Sequence, residues 1–211
     1  MLRFIYADEL HRYHKLGQSM FLDRADQFRA RLGWDVEIDA QGGERDGYDR
    51  LNPLYVIWEN RRGLHGGSMR FLPTTGRVMV NEIFGHLTGG PIESPLIWEC
   101  TRFCLSRNAG PRVAAALMLG GGEIMSGFGI EQFAGVFDAR MERIYRAIGS
   151  CPEILGSQGQ GREKISVGLW SFSPLAHSRV ARRAGLSTAL SRLWFERAFG
   201  AAMRPRQRLT A

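Results

Sequence analysis

Apolar and polar residues follow one another in blocks whose spacing predicts strands interleaved with helices. Residues 2–6 alternate with the period of a short strand. The stretch 10–32 then predicts a helix, because its apolar side chains recur at helical spacing, at Leu16, Met20, Ala25, Phe28 and Leu32. Gly33 is predicted to end this helix. Residues 36–53 are polar and contain glycine, which predicts a long loop of the kind that is commonly functional.

Two further strands and a buried central strand are predicted next. Residues 54–59 and 66–72 read as strands joined by a hairpin turn at 60–63, while 79–84 and 91–95 are predicted to form an irregular connection. The segment 96–105 is apolar at both odd and even positions, which predicts a central strand buried on both faces, yet it contains Glu99 and Arg102. Because side chains alternate along a strand, Glu99 is predicted to face a pocket and Arg102 the opposite layer, unless a bulge intervenes. The alternative is a solvated edge strand with two ordinary charges.

The second half of the chain continues the alternation of helices and strands. Pro111 is predicted to open a helix that runs to about Phe128, with Gly120–Gly122 closely packed against a neighbour. A strand at 132–137, a helix at 139–148, a strand at 164–172 and one or two helices after Pro174 follow. Residues 204–211 form a basic tail that is predicted to be disordered. Together these elements predict a single α/β domain over residues 1–211, with a sheet sandwiched between helices.

Composition limits the class of protein. With 211 residues and 44% hydrophobic content, the chain is long enough for one sizeable core. It has no run of 18 apolar residues and no signal-peptide pattern, which predicts a cytoplasmic protein that does not bind or span a membrane. The three cysteines, Cys100, Cys104 and Cys151, are interpreted as reduced core thiols, so neither a disulfide nor a metal site is expected.

The charge balance predicts an anionic partner. Lys and Arg number 28 against 21 Asp and Glu, which gives a net charge of +7 and a pI of about 9.9. A nucleic acid fits this charge, but no helix-turn-helix, zinc or RNA-binding motif accompanies it, so a nucleic-acid partner is not expected. A small acidic carrier protein that bears a phosphopantetheine arm fits it too, and so does the simpler interpretation that the charge serves solubility.

Eight charged and aromatic residues between positions 24 and 102 predict a polar pocket, because a buried charge must be paired. They are Arg24, Phe28, Trp34, Asp46, Asp49, Arg70, Glu99 and Arg102. Carboxylates, guanidiniums and aromatic rings together suit a ligand with a sulfonium cation, an α-amine and a carboxylate, and S-adenosyl-methionine is such a molecule. A salt-bridge set that only pins the helix to the loop, with Trp34 as a core plug, explains the same residues equally well.

Four sequence strings carry a family resemblance. R-A-D-Q-F-R-A-R-L-G-W (24–34), E-R-D-G-Y-D (44–49), G-S-M-R-F-L-P-T (67–74) and W-E-C-T-R-F (98–103) resemble, in order and spacing, the acyl-homoserine-lactone synthases of the autoinducer-synthase family. The resemblance implies an α/β/α sandwich with a mixed sheet, similar to the GNAT acyltransferases. It implies an enzyme that needs no cofactor and that acylates the amine of S-adenosyl-methionine, its substrate, from an acyl-carrier-protein thioester. Closure of the lactone would then release N-acyl-L-homoserine lactone, a quorum-sensing signal, and methylthioadenosine.

The resemblance also implies roles for individual residues. The catalytic charged residues are Arg24, Asp46, Asp49, Arg70, Glu99 and Arg102, and the substrate-binding aromatic residues are Phe28, Trp34, Phe84 and Phe103. Glu99 is the candidate base for the amine proton, and a backbone N–H near Arg102 or Phe103 is the candidate donor to the thioester oxyanion. Asp46, Arg70 and Glu99 are expected near S-adenosyl-methionine. Arg24, Asp49 and Arg102 are expected to form the supporting salt bridges.

The acyl chain is expected in an apolar tunnel between the central strand and the later helices. Candidate wall residues, each of which fits plain core as well, are Met79, Phe84, Cys100, Leu117, Met125 and Leu169. Gly135 stands where members that favour 3-oxo chains carry a hydroxyl residue, so an unsubstituted chain is expected. Arg140, Arg143 and Arg146 recur at helical spacing and would contact the carrier protein or form a solvated face. Acyl-CoA as the donor, a CoA-dependent N-acetyltransferase and a basic nucleic-acid-binding regulator stay open as alternatives.

Overall fold

Seven strands form one mixed sheet in the order β1-β2-β3-β4-β5-β7-β6. The computed structural model describes residues 1–200, and the predicted tail at 204–211 lies outside the described residues. The strands are β1 (Leu2–Tyr6), β2 (Leu54–Glu59), β3 (His65–Pro73), β4 (Ile97–Leu105), β5 (Gln132–Asp138), β6 (Glu153–Gln158) and β7 (Ile165–Ser171). Neighbouring strands pair antiparallel except β4 and β5, which pair in parallel.

Helices cover both faces of the sheet. They are α1 (His14–Ala25), α2 (Met79–Phe84), α3 (Val113–Phe128), α4 (Ala139–Ile148), α5 (Pro174–Ala184) and α6 (Thr188–Phe199). Ile57 of β2 shares an apolar cluster with Leu16 and Met20 of α1. The preceding residue, Val56, points to the opposite face and shares a cluster with Leu117 of α3. The predicted α/β sandwich with a mixed sheet is therefore confirmed.

Helix α2 and strand β6 differ from the sequence-based prediction. Residues 79–84 form helix α2 rather than an irregular connection, and its first N–H groups are bound by the side chain of Glu99, a residue distant in sequence. Strand β6 was not predicted. It is an edge strand whose residues are nearly all exposed, so it lacks the alternation that marks a half-buried strand.

The N-terminal helix is longer and less regular than predicted. A 3₁₀ segment, Ala7–Tyr13, precedes α1, and a π-helical segment, Asp26–Arg31, follows it. Gly33, with φ +68°, ends the helical run as predicted. Wide π turns often occur at functional sites, and this one carries Phe28.

Strands β4 and β5 diverge soon after they pair. Ile97–Glu99 pair with Gln132–Ala134, and β4 then continues to Leu105 without β5 beside it. A gap therefore opens in the middle of the sheet, and it determines where the site lies.

Helix α3 approaches its neighbours closely at Gly120–Gly122, as predicted. A Cβ atom at Gly120 would lie 2.7 Å from Cγ1 of Val56, and one at Gly122 would lie 2.5 Å from Cδ2 of His177. Glycine at these positions lets α3 contact both the sheet and α5. Among residues 1–200, no helix has the length and apolar character that crossing a membrane requires.

Candidate active site

Three arginines and three carboxylates form one ion network on the face of the sheet that α1 covers. Arg24 of α1 is fully buried and donates to both oxygens of Asp49, at 3.0 and 2.9 Å. It also donates to Glu44, at 2.5 Å. Arg24 therefore ties α1 to the 36–53 loop at two points.

Arg70 and Arg102 bind the same loop from the sheet. Arg70 of β3 donates to the two oxygens of Asp46, at 2.5 and 3.0 Å, and to Asp49, at 3.0 Å. Arg102 of β4 donates to Asp46, at 2.6 Å, and to Glu44, at 3.0 Å. The network joins α1, the loop, β3 and β4, and its three positive charges balance its three negative charges.

The backbone of the loop orients two of these carboxylates. The Asp46 side chain accepts hydrogen bonds from the N–H groups of Tyr48 and Asp49, and the Asp49 side chain accepts from the N–H of Asp46. This capping box starts the short 3₁₀ helix Gly47–Arg50. The Tyr55 hydroxyl also donates to Asp49, at 2.7 Å. Both carboxylates are thus fixed toward the arginines.

Mutual pairing keeps Asp49 and Arg24 ionised although both are buried. Burial opposes the charge of Asp49, but Arg24 and Arg70 hold the pKa of its carboxyl well below the usual range. Burial likewise acts to lower the pKa of Arg24, and Asp49 and Glu44 outweigh it, so that this pKa lies above its ordinary value. Each charge depends on its partners.

Glu44 belongs to this network, although its place in a polar loop did not predict a buried site residue. It is fully buried and binds Arg24 and Arg102. A signal was available, since Glu44 begins the same E-R-D-G-Y-D string that contains Asp46 and Asp49.

The prediction that Arg102 points to the layer opposite Glu99 is wrong. Arg102 has φ +52°, and the pairing of β3 with β4 shifts register between Ser68 and Arg70. These features mark a β-bulge, in which one extra residue re-aims the neighbouring side chains. Arg102 therefore reaches Asp46 on the same face of the sheet as the Glu99 side chain.

Glu99 is the buried carboxylate of the site that pairs with no arginine in the described part of the chain. It is 1% exposed and accepts hydrogen bonds from the N–H groups of Val80, at 2.5 Å, and Met79, at 3.2 Å. Burial raises the pKa of its carboxyl, and the opposing effects of these N–H groups and of Arg70 and Arg102 are smaller. A glutamate with a raised pKa is a stronger base than an ordinary one, which suits proton transfer near neutral pH.

Two aromatic rings flank the network. Phe28 and Trp34 stack with their centroids 5.2 Å apart and their planes at 8°, and the Arg102 guanidinium lies 5.5 Å from the Phe28 centroid. Trp34 is 42% exposed, so the alternative interpretation of this residue as a core plug is wrong. The Gln27 side chain donates to the Phe103 carbonyl, at 3.0 Å, and so fixes the π-helical segment to β4.

An apolar cavity of about 90 Å³ lies between the other face of the sheet and helices α3 and α5. Met69, Phe133 and Trp170 are among its wall residues, and Thr101 and Arg102 line it where β4 leaves β5. Thr101 accepts a hydrogen bond from Nε of Arg70 at 3.1 Å, and Arg102 binds the carboxylates described above. The cavity therefore ends at the ion network.

The predicted tunnel and substrate residues fall into two groups. Cys100, Met125 and Phe103 line the cavity. Met79, Phe84, Leu117 and Leu169 do not line it. Phe84 and Leu169 pack with Leu72 and Val80 in a separate apolar cluster, because α2 lies on the opposite face of the sheet from α3.

Gly135 of β5 lies in the cavity wall. A Cβ atom there would approach Cζ3 of Trp170 to 3.0 Å and the carbonyl oxygen of Cys100 to 3.1 Å. A larger residue would require its neighbours to move. Gly135 thus keeps the cavity open at the β4–β5 gap.

The arginines of α4 lie on the surface. Arg140 pairs with Asp138 at 3.1 Å, whereas Arg143 and Arg146 form no salt bridge within residues 1–200. All three are exposed, on the helix whose buried Tyr145 lines the cavity.

All three cysteines are free thiols, but the prediction that each lies in the core is wrong for Cys151. Cys104 is buried and Cys100 partly buried, but Cys151, just before the edge strand β6, is exposed rather than in the core. No group of three or more His, Cys, Asp or Glu side chains suited to a metal ion occurs within residues 1–200.

Comparison with known proteins gives consistent matches. The profile of the autoinducer synthase family matches residues 8–176. An acyl-homoserine-lactone synthase of Rhizobium etli is 39% identical over 198 residues, which covers 90% of this chain and 92% of the relative. The solved structure of MesI, described as a CoA-dependent acyl-homoserine lactone synthase, has a TM-score of 0.78 at 25% identity and covers 89% of this chain and 96% of that one.

Two more distant structures show the same fold. BjaI, solved with SAM and isopentyl-CoA, has a TM-score of 0.77 at 22% identity, covering 92% of this chain and 99% of that one. An N-acetyltransferase-like structure from Lactobacillus plantarum has a TM-score of 0.55 at 12% identity, covering 82% and 99%. The predicted likeness to acetyltransferase architecture is therefore confirmed. The profile match over most of the chain, together with the Rhizobium etli relative, shows that this chain belongs to the autoinducer synthase family.

Proposed function

We propose that the protein is an acyl-homoserine-lactone synthase that joins an acyl group to the α-amine of S-adenosyl-methionine. The observation that carries this proposal is the position of Thr101 and Arg102. They line the apolar cavity and also contact the ion network. An acyl chain in the cavity would end with its thioester at the β4–β5 gap, beside the charges that an amino-acid substrate requires.

The polar side of the site has groups that suit the cationic centres and the adenine of S-adenosyl-methionine. Glu99, which pairs with no arginine within residues 1–200, suits the positively charged amine and sulfonium. The exposed Trp34, stacked on Phe28, offers an aromatic surface for the adenine or the sulfonium. The remaining charged residues, Arg24, Asp46, Asp49, Arg70 and Arg102, are already paired, so we assign to them the task of holding the site in shape.

Acylation would come first. Glu99 accepts a proton from the ammonium, directly or through water, and the freed nitrogen attacks the thioester carbonyl carbon. A backbone N–H at the bulge near Phe103 stabilises the resulting oxyanion. The carbon–sulfur bond then breaks, and the leaving thiolate takes the second nitrogen proton, which leaves an amide and a free thiol.

Lactone closure would follow within the acylated molecule. A carboxylate oxygen of the methionine part attacks its own γ-carbon, and the bond from that carbon to the sulfonium sulfur breaks with both electrons going to sulfur. Methylthioadenosine leaves as a neutral molecule, and no proton is transferred. The site contributes by holding the chain folded, because ring closure depends on orientation.

We propose an acyl-carrier protein as the acyl donor and an acyl chain without a 3-substituent. The exposed Arg143 and Arg146 on α4 support the first choice, because an acidic partner could contact them beside the cavity. The solved relatives MesI and BjaI are described as CoA-dependent, so the donor needs a direct test. Arg143→Glu combined with Arg146→Glu should raise KM for acyl-carrier protein and leave KM for acyl-CoA unchanged. An equal effect on both donors would contradict the carrier assignment.

The whole function can be tested with purified protein. The protein is incubated with S-adenosyl-methionine and a panel of acyl-carrier and acyl-CoA thioesters, and mass spectrometry is used to detect acyl-homoserine lactone and methylthioadenosine. Glu99→Gln should form both products ~10²–10⁴-fold more slowly, whereas Glu9→Gln, a change at an exposed glutamate, should behave as wild type. The absence of both products from the wild-type protein with every donor would refute the proposal.

A further inference from the structure

The helical wall of the apolar cavity contains a buried polar cluster that the proposed mechanism does not use. Glu123, in the apolar helix α3, is 2% exposed. Its carboxylate accepts a hydrogen bond from the Ser191 hydroxyl of α6 and lies 3.2 Å from Nε2 of His177 of α5. Arg192 of α6 approaches it to 3.7 Å. A carboxylate in such a helix needs partners, and Ser191 donates to this one, while Nε2 of His177 and a guanidinium nitrogen of Arg192 lie near it without a hydrogen bond.

His177 is the member of this cluster that faces the cavity. Its ring lines the cavity together with Ser173 and Gly122. The absence of a side chain at Gly122 admits the ring, since a Cβ there would lie 2.5 Å from Cδ2 and 3.1 Å from Nε2 of His177. The Cδ2–Nε2 edge therefore faces α3, and the Nδ1 edge faces away from it. Within residues 1–200, neither ring nitrogen of His177 forms a hydrogen bond, and Nε2 is buried beside Glu123.

This ring lies far from the β4–β5 gap along the cavity. Gly135, at the gap, pairs with Gly168 of β7, and Phe172 follows four residues later. At ~3.3 Å per residue, Phe172 is roughly 13 Å from Gly135 along the strand direction. The His177 and Phe172 ring centroids are 5.8 Å apart. An acyl chain with its thioester at the gap would reach His177 only with its distal part.

We propose that His177 is a specificity-determining residue that hydrogen-bonds an oxygen, such as a hydroxyl, on the distal part of the acyl chain. A chain that is apolar throughout leaves Nδ1 unpaired inside an otherwise apolar space, and an unpaired buried polar group is costly. A chain with a hydroxyl there satisfies Nδ1, while Nε2 stays 3.2 Å from the Glu123 carboxylate. This inference rests on the proposed function and agrees with a chain that is unsubstituted near the thioester.

The test compares binding of two donors of equal length. Dissociation constants of decanoyl-pantetheine and 10-hydroxydecanoyl-pantetheine are measured by calorimetry without S-adenosyl-methionine. Their ratio is compared among the wild type, His177→Phe, His177→Asn and Ser191→Ala. We expect His177→Phe to weaken the relative binding of the hydroxylated donor about tenfold, the effect of roughly one hydrogen bond. His177→Asn should restore part of the ratio, and Ser191→Ala, outside the cavity wall, should leave it unchanged.

The ratio separates recognition from general damage to the fold, because damage weakens both donors alike. An unchanged ratio in His177→Phe would overturn the proposal, and so would an equal change in Ser191→Ala. Because the assay measures binding alone, it gives its answer even if no lactone is formed. A failure of the proposed function is thus distinguished from a failure of this inference.

Discussion

Replacement of Asp49 by Asn should lower stability and activity together, because Asp49 is the carboxylate that pairs with both Arg24 and Arg70 in the ion network. Its side chain is 6% exposed and accepts two hydrogen bonds from Arg24, one from Arg70 and one from Tyr55. Asparagine keeps the shape but removes the charge, so it leaves two buried guanidiniums undercompensated. Removal of one partner of a buried ion pair costs about 3–5 kcal/mol. At ~2–4 °C per kcal/mol for a chain of this size, Tm should fall by roughly 6–20 °C.

Thermal unfolding followed by circular dichroism, together with lactone formation by the same samples below Tm, checks this prediction. Glu9→Gln is a suitable control, because Glu9 pairs with Arg12 on the surface and such pairs contribute little. If Asp49→Asn melted as wild type but formed no product, Asp49 would act on the substrate and the assignment to structural support would be refuted.

Three further predictions address acid stability, the base and the core. The pKa of Asp49 is depressed in the folded state, so its contribution is complete above its unfolded pKa of about 3.9 and is lost as pH falls below that value. The free energy of unfolding from urea titrations should therefore decline steeply below about pH 4, and a flat profile would contradict the pairing. The pKa of Glu99 is raised, so its ionisation costs stability as pH rises through the folded value. Glu99→Gln should therefore lose ~10²–10⁴ in acylation rate, and its free energy of unfolding should lack the decline that the wild type shows as pH rises through the folded pKa of Glu99. Gly127→Ala places a Cβ 2.2 Å from Cζ of Phe195, so overpacking should outweigh the gain in helix propensity and lower the urea midpoint.

The fold was predictable where burial of a strand or helix imposes a regular spacing of apolar residues on the sequence. The strand at 54–59 was predicted to the residue, because it lies between two helical layers. Helix α2 could not be predicted in this way, since its first N–H groups are bound by Glu99, whose proximity depends on the finished sheet. The sequence of strand β6 shows no alternation of apolar and polar residues, because the strand is exposed on both faces at the edge of the sheet.

Most residues of the site could be predicted from the sequence, but the faces of the sheet on which their side chains lie could not. Charges inside an apolar segment identified Glu99 and Arg102, since buried charges require partners. The side on which Arg102 lies depends on a φ of +52° at that residue, and strand periodicity carries no information about such a bulge. Glu44 was overlooked because a glutamate in a polar loop looks like any solvated residue until its burial is known.

The charge balance of the network explains why one carboxylate stands apart from it. Arg24, Arg70 and Arg102 cancel Glu44, Asp46 and Asp49, so the network holds its shape without presenting net charge to a ligand. Ionised Glu99 then contributes one uncompensated negative charge beside it. S-adenosyl-methionine, with a sulfonium, an ammonium and a carboxylate, carries a net charge of +1. Its binding would compensate Glu99 and stabilise the ionised form, so the substrate would itself prepare the carboxylate to accept the ammonium proton.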